Sequence, residues 1–165
     1  MTILSENWEK LAVSLQKEPA IMGYRNVAEK LESLYLQGFA VIRQDQAGEI
    51  VTFGGLWSTP EEGCLEAGSF WVHPMHRDKK HASWMFKKLS EKIPARYVAM
   101  CITHVEKVAH LLLGAGWLEA TRDNWHNVVP FSASCGPCDV VTEEEKAICP
   151  HRATKDFCRM FWKLG

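Results

Sequence analysis

The chain has 165 residues, which fits a single domain spanning residues 1–165 and leaves room for a sizeable core. Hydrophobic residues make up 47% of it, which excludes a disordered chain, and the formal net charge of −1 gives no overall field that would attract nucleic acid or an anionic membrane. The sequence contains neither a secretory signal pattern nor an apolar stretch long enough to cross a bilayer. We therefore expect a soluble cytoplasmic protein without nucleic-acid or membrane partners.

The first third of the chain predicts two helices. Four apolar residues recur at the spacing of one helix face: Trp8, Leu11, Ala12 and Leu15. Ser5 stands where its side chain could cap the start of this helix. A second helix is predicted over residues 26–37, and Gly38 follows it as a glycine often follows a helix end.

Three short apolar runs come next, over residues 39–43, 50–57 and 64–72. The polar connections between these runs are too short to contain a crossover helix. Three strands joined by such turns are typical of an antiparallel meander.

Helices and strands alternate after the meander. A helix is predicted over residues 80–93, a strand over 97–102 and a second helix over 104–113, an order that favours parallel pairing with right-handed crossovers. Near the C-terminus, strands are predicted over residues 117–121 and 157–164. The sequence thus predicts an α/β fold with a mixed sheet, in which an antiparallel meander is followed by β-α-β-α and a C-terminal strand pair.

Three stretches resemble one family, the GCN5-related N-acetyltransferases. They are FAVIRQDQAGEIVTFGGLW at residues 39–57, EAGSFWVHPMHR at 66–77 and EKVAHLLLGAGWLEA at 106–120. With the element order, the resemblance covers roughly residues 26–121. It implies an acyl-CoA-dependent N-acyltransferase with acetyl-CoA as co-substrate and an amine, of a small molecule or a protein, as acceptor. Transfer would be direct, in a ternary complex, and would need no metal.

The resemblance also implies where the cofactor binds. In the family, a strand that usually bulges binds the pantetheine arm, which here assigns the backbone of Trp71, Val72 and His73. A following loop of the form Arg/Gln-x-x-Gly-x-Gly/Ala binds the pyrophosphate at a helix start. The residues that match this loop are Arg77, Asp78, Lys79, Lys80, His81, Ala82 and Ser83. Lys80 stands where the family has its middle glycine, and an ordinary basic turn is the alternative interpretation.

Two residues are candidate proton carriers. Glu66, on the third strand of the meander, matches the position of a general base that acts on the amine directly or through water. A solvent-facing carboxylate is the alternative. His104 follows the next strand and could exchange a proton near neutral pH, or it could be a neighbour of a helix cap without chemistry. The family's asparagine and general-acid tyrosine correspond to Val105 and Leu112.

The C-terminal region contains a cysteine cluster. Cys135 and Cys138 form a CxxC motif, and Cys149 and His151 follow at a spacing that a zinc site could use. Free thiols and a redox CxxC are the other interpretations. The second functional hypothesis is therefore a catalytically impaired binding or regulatory module of the same fold, with a zinc or redox site at these residues.

Overall fold

A computed structural model describes residues 3–18, 25–77, 80–120 and 159–165. In chain order its elements are α1 Ser5–Gln16, α2 Ala28–Leu36, β1 Ala40–Gln44, β2 Ile50–Ser58, β3 Cys64–Val72, α3 His81–Ser90, β4 Val98–Thr103, α4 Glu106–Gly114, β5 Leu118–Ala120 and β6 Arg159–Leu164. A single 3₁₀ turn, Pro74–His76, follows β3. None of the described helices combines the length and the apolar character needed to cross a membrane.

The strands form a six-stranded mixed sheet in the order β1-β2-β3-β4-β6-β5. β1 and β2 are antiparallel, whereas β3 and β4 are parallel from Cys64↔Val98 to Glu66↔Met100. β6 lies between β4 and β5 and is antiparallel to both. The predicted mixed sheet, the parallel pairing of the middle strands and the C-terminal strand pair are confirmed.

The chain divides into two compact units. The first comprises Met1–Trp57 and Ala67–Ile93, and the second comprises Ser58–Glu66 and Pro94–Gly165. β3 contributes residues to both, because the division falls between Glu66 and Ala67.

Helix α1 supplies much of the core of the first unit. Its four predicted core residues are all buried, and the Trp8 ring lies 5.6 Å from the Tyr35 ring and 6.5 Å from the Phe53 ring. The predicted cap is wrong. Ser5 is the first helical residue, because the Leu4 carbonyl already accepts from the Asn7 N–H at 3.0 Å, and no side chain caps the helix.

Helix α3 packs closely on the first unit's strands. A Cβ added at Gly54 of β2 would lie 3.0 Å from Cγ and Sδ of Met85, so the glycine permits the close approach of the helix. The Phe70 and Phe86 rings are 4.4 Å apart. These contacts fix the start of α3 beside the end of β3.

The second unit is tied together by Arg159 of β6. Its guanidinium donates to both carboxylate oxygens of Glu119 on β5, at 2.6 and 2.8 Å, and to Glu106 of α4 at 2.8 Å. The buried apolar residues beneath include Met100 and Met160. One side chain thus connects two strands and a helix.

Candidate functional site

Strand β3 contains a residue in an unusual conformation. Ser69 has φ of 57°, a left-handed value that an L-residue seldom adopts inside a strand, and it is 7% exposed. A left-handed residue is one way in which a strand bulges and turns its backbone groups away from regular pairing. This is the irregularity that the resemblance leads us to expect in this strand.

The backbone of β3 beyond Ser69 presents its groups alternately to its two sides. The His73 N–H donates to the Val51 carbonyl of β2 at 2.9 Å, and the His73 carbonyl accepts from His76 at 2.8 Å. Because neighbouring residues of a strand direct their backbone groups to opposite sides, those of Val72 face away from β2. Of the three residues predicted to contact the pantetheine, Val72 is therefore the best oriented for an added partner.

The turn between β3 and α3 has an ordered backbone at both ends. The His73 Nδ1 atom accepts from the Met75 N–H at 3.2 Å, and the Arg77 Nε atom donates to the Val72 carbonyl at 3.2 Å. At the other end Lys80 has φ of 57° and precedes the first residue of α3. Lys80 thus keeps the left-handed conformation that glycine adopts most readily, at the position where the family has glycine. Asp78 and Lys79 lie outside the described residues.

Two backbone N–H groups at the start of α3 precede its first hydrogen bond. The first bond of the α-helical type runs from the Trp84 N–H to the Lys80 carbonyl at 3.2 Å. The N–H groups of Ala82 and Ser83 precede it and therefore have no acceptor within the helix. With the helix dipole, they can bind an anion.

One cation of the turn has a carboxylate partner. The Arg77 Nη2 atom lies 2.6 Å from an oxygen of Glu18, just beyond α1, and both side chains are partly exposed. The sequence analysis did not find Glu18, because 58 residues separate it from Arg77 and no motif includes it.

Three histidines line the same turn. The rings of His73 and His76 are 5.7 Å apart and those of His76 and His81 are 5.5 Å apart, each pair nearly edge to face. The His81 Nδ1 atom is 2.9 Å from the hydroxyl oxygen of Thr52 on β2. We call these three residues the imidazole row. The contact of Thr52 with His81 was not predicted either, since no local sequence pattern identifies a buried threonine as the partner of a distant histidine.

The two candidate proton carriers are not side by side. Glu66 is level with Met100 in the parallel β3–β4 register, and His104 follows Met100 by four residues. At about 3.3 Å per residue, His104 lies about 13 Å further along the strand direction. It precedes α4 next to Thr103, whose hydroxyl accepts from the Val105 N–H at 3.0 Å. Glu66 is half-buried on its strand.

Of the other candidates from the sequence, one has a defined position and the rest lie outside the described residues. Leu112, at the position of the family's tyrosine, is 0% exposed on the buried face of α4. The cysteine cluster Cys135, Cys138, Cys149 and His151 falls outside the described residues. Within the part of the chain that is described, no three His, Cys, Asp or Glu side chains are grouped to hold a metal.

No protein-family model matches the chain, and no curated protein matches it. Solved structures do. A GNAT superfamily phosphinothricin acetyltransferase from Sinorhizobium meliloti, in complex with AcCoA, matches with a TM-score of 0.64 and 10% identity over 98% of this chain and 85% of its own. A ribosomal-protein-alanine N-acetyltransferase from Brucella melitensis matches with a TM-score of 0.61 and 15% identity, over 98% of this chain and 96% of its own. A spermidine N-acetyltransferase from Vibrio cholerae matches with a TM-score of 0.60 and 14% identity, over 99% of this chain and 93% of its own.

These matches agree with the mixed α/β fold and its six-stranded sheet. At such low identity they establish the architecture and not a substrate. The chain has the fold of the GCN5-related N-acetyltransferases.

Proposed function

We propose that the protein is an acetyl-CoA-dependent N-acyltransferase that transfers the acyl group directly to an amine in a ternary complex. The observation that carries the proposal is the turn from β3 into α3. There a left-handed Lys80 leads into a helix start with outward N–H groups, and a second cation, Arg77, lies in the same turn. A solved structure of the same fold contains AcCoA.

The parts of the cofactor are assigned by chemistry. The pyrophosphate is an anion and is bound by the N–H groups of Ala82 and Ser83, next to His81 at the start of α3, with Arg77 and Lys80 as charged partners. The pantetheine amides pair with the backbone of β3, chiefly with the Val72 N–H, since the Val72 carbonyl already accepts from Arg77. Trp71 and His73 contribute through the strand that they build around it, because the backbone of His73 is engaged with β2 and with the turn.

The acyl transfer uses one base. Glu66 takes a proton from the substrate ammonium, directly or through a water, and leaves a neutral amine. The nitrogen lone pair attacks the thioester carbonyl carbon and a C–N bond forms, which leaves the nitrogen positively charged. The nitrogen then loses its extra proton, the C–S bond breaks, and coenzyme A leaves as a thiolate that takes up this proton. The spacing of about 13 Å along the strand argues against a Glu66–His104 pair acting on one proton. We assign the amine proton to Glu66 and a proton-transfer role near the end of β4 to His104.

Calorimetric titration with acetyl-CoA tests the proposal. We expect micromolar binding by the metal-free protein, and a loss of at least about tenfold in the Arg77→Ala, Lys80→Ala double variant, because two cations leave the anion site. The matched control is Lys87→Ala, Lys88→Ala, which removes two exposed cations from the last turn of the same helix. It should bind like the wild type.

Two calorimetric results would contradict the proposal. Absence of binding at millimolar acetyl-CoA would reject it. Equal losses in the two double variants would show that overall charge, and not the turn, governs affinity. With binding established, an amine library assayed by release of the coenzyme A thiol identifies the acceptor.

A further inference from the structure

A buried hydroxyl is hydrogen-bonded to one imidazole of the turn between β3 and α3. Thr52 is 0% exposed, and its hydroxyl oxygen lies 2.9 Å from Nδ1 of His81, the first residue of α3. A buried hydroxyl out of reach of water needs a partner within the protein. The bond therefore fixes the position of the His81 ring at the mouth of the anion site.

The fixed ring belongs to the imidazole row. Centroid spacings of 5.5 and 5.7 Å bring the three rings close enough for a charge on one to oppose a charge on the next. Imidazole is also the side chain that changes charge most readily near neutral pH. The ring spacing therefore disfavours a charge on two neighbouring rings at once.

The other charged side chains around the row are mainly cations. Arg77 and Lys80 lie in the same turn, and Arg43 of β1, which pairs with Thr52, lies over the Trp84 ring at 4.2 Å, one helical turn beyond His81. Among the described residues, the carboxylates near the row are Glu18, which is bonded to Arg77, and Glu49, which with Lys10 lines a pocket of about 210 Å³ beside His73. Asp78 of the same turn lies outside the described residues. An arriving phosphate reverses the local balance of charge and favours an imidazolium next to it.

We propose that Thr52 positions His81 so that the imidazole row takes up a proton when the cofactor phosphates bind. The inference rests on the proposed function, since it concerns the same anion site. The complex then holds more protons than the free protein, so that acetyl-CoA binds more tightly as the pH falls from about 8 to about 6. The effect comes from the charge of the ring and needs no particular hydrogen bond of its Nε2 atom.

Thr52 suits this task because a hydroxyl both donates and accepts. It can donate to Nδ1 of a neutral ring and, after rotating, accept from the Nδ1–H group of an imidazolium. A valine has nearly the same shape but can do neither. Thr52 is a positioning residue in this proposal, since it acts through His81.

Calorimetry in two buffers of different ionisation enthalpy, between about pH 6 and pH 8, measures the protons taken up per acetyl-CoA. For the wild type we expect Kd to fall several-fold, up to about tenfold, as the pH is lowered from about 8 to about 6. His81→Gln and Thr52→Val should take up fewer protons and show a flatter dependence of Kd on pH. Thr52→Ser should behave like the wild type, as should His110→Gln, which changes an exposed histidine on α4. The titration of the cofactor's own phosphate is common to all of these proteins and cancels in the comparison.

Each other outcome has a definite meaning. Proton uptake by His81→Gln equal to that of the wild type overturns the inference while leaving cofactor binding intact. A Thr52→Val variant that is less stable but takes up protons normally shows a structural role only and removes Thr52 from the proposal. If that variant does not fold, His81→Gln and Thr52→Ser decide the question. Failure of the wild type to bind at every pH rejects the proposed function, and the inference falls with it.

Discussion

At the scale of single residues, the turn between β3 and α3 depends on backbone conformations and contacts that cannot be predicted from its amino-acid composition. Lys80 occupies a left-handed conformation with φ of 57°, and Arg77 is bonded to Glu18 at 2.6 Å. Both features concern the anion site. The conformation of Lys80 affects the stability of the backbone there. The bond to Glu18 affects whether the charge of Arg77 is available to an anion.

Lys80→Gly should leave the protein as stable or make it more stable, by about 0.5–1 kcal/mol. The left-handed conformation costs a lysine about 1–2 kcal/mol, which exceeds the gain in unfolded-chain freedom that a glycine brings. Chemical denaturation measures the difference. Lys87→Gly, in the right-handed interior of α3, is the matched control and should lose about 1 kcal/mol. Equal losses in the two variants would contradict the left-handed geometry of Lys80.

Glu18→Gln should tighten acetyl-CoA binding by about two- to fivefold. The carboxylate competes with the cofactor phosphates for Arg77, and a partly exposed ion pair is worth about 1 kcal/mol or less. Titration calorimetry compares this variant with Glu9→Gln, which removes an exposed carboxylate of α1. Weaker binding by Glu18→Gln would mean that Glu18 orients Arg77 for the cofactor and does not compete with it.

At the scale of elements, polar contacts fix what apolar periodicity leaves open. The buried faces of α1 and α3 follow from the spacing of their apolar residues. The insertion of the last strand between β4 and β5 is accompanied by the bonds of Arg159 to Glu119 and Glu106. The hydrogen bond from Arg159 lowers the pKa of Glu119 below the ordinary glutamate value, and the carboxylates raise the pKa of Arg159.

Glu119→Gln should destabilise the protein at neutral pH by about 1 kcal/mol or less, because both partners are partly exposed. A carboxyl group whose pKa is lowered by folding contributes stability above its unfolded value, and this contribution disappears as the pH falls through the folded value. The difference from the wild type should therefore be full at pH 7 and shrink below about pH 4.5. Urea unfolding at several pH values measures it, with Glu9→Gln as the control. A difference that is constant with pH would contradict the ion-pair account.

At the scale of the whole molecule, the architecture is that of the GCN5-related N-acetyltransferases. Fold alone does not specify the reaction. The order of events during turnover distinguishes direct transfer from transfer through an acyl-enzyme, and the role of Glu66 can be measured in the same experiment.

With an acceptor identified in the amine screen, initial rates should give intersecting double-reciprocal lines, because both substrates are bound before any product leaves. Glu66→Gln should lower kcat by about 10²–10⁴ and leave the Kd of acetyl-CoA unchanged, since it removes a proton acceptor and no cofactor contact. Glu119→Gln is the matched control and should turn over normally. Parallel lines, or a Glu66→Gln variant of normal activity, would contradict direct transfer with Glu66 as the base.

The sequence by itself determined the order of helices and strands and the mixed sheet, because apolar periodicity and short turns are local properties of the chain. The position of a cofactor-binding turn is what the family resemblance implies, and it stays a prediction. The sequence did not predict that Leu4 is the N-cap of α1, that the His73 N–H donates to Val51, or that Thr52 and Glu18 contact residues of the turn. Those contacts join residues that are distant in the chain, and they depend on register and on how α3 packs, which no local pattern encodes. The tertiary structure alone decided the partners of the turn between β3 and α3, because a hydrogen bond requires a position in space, whereas a helix or a strand requires only a period.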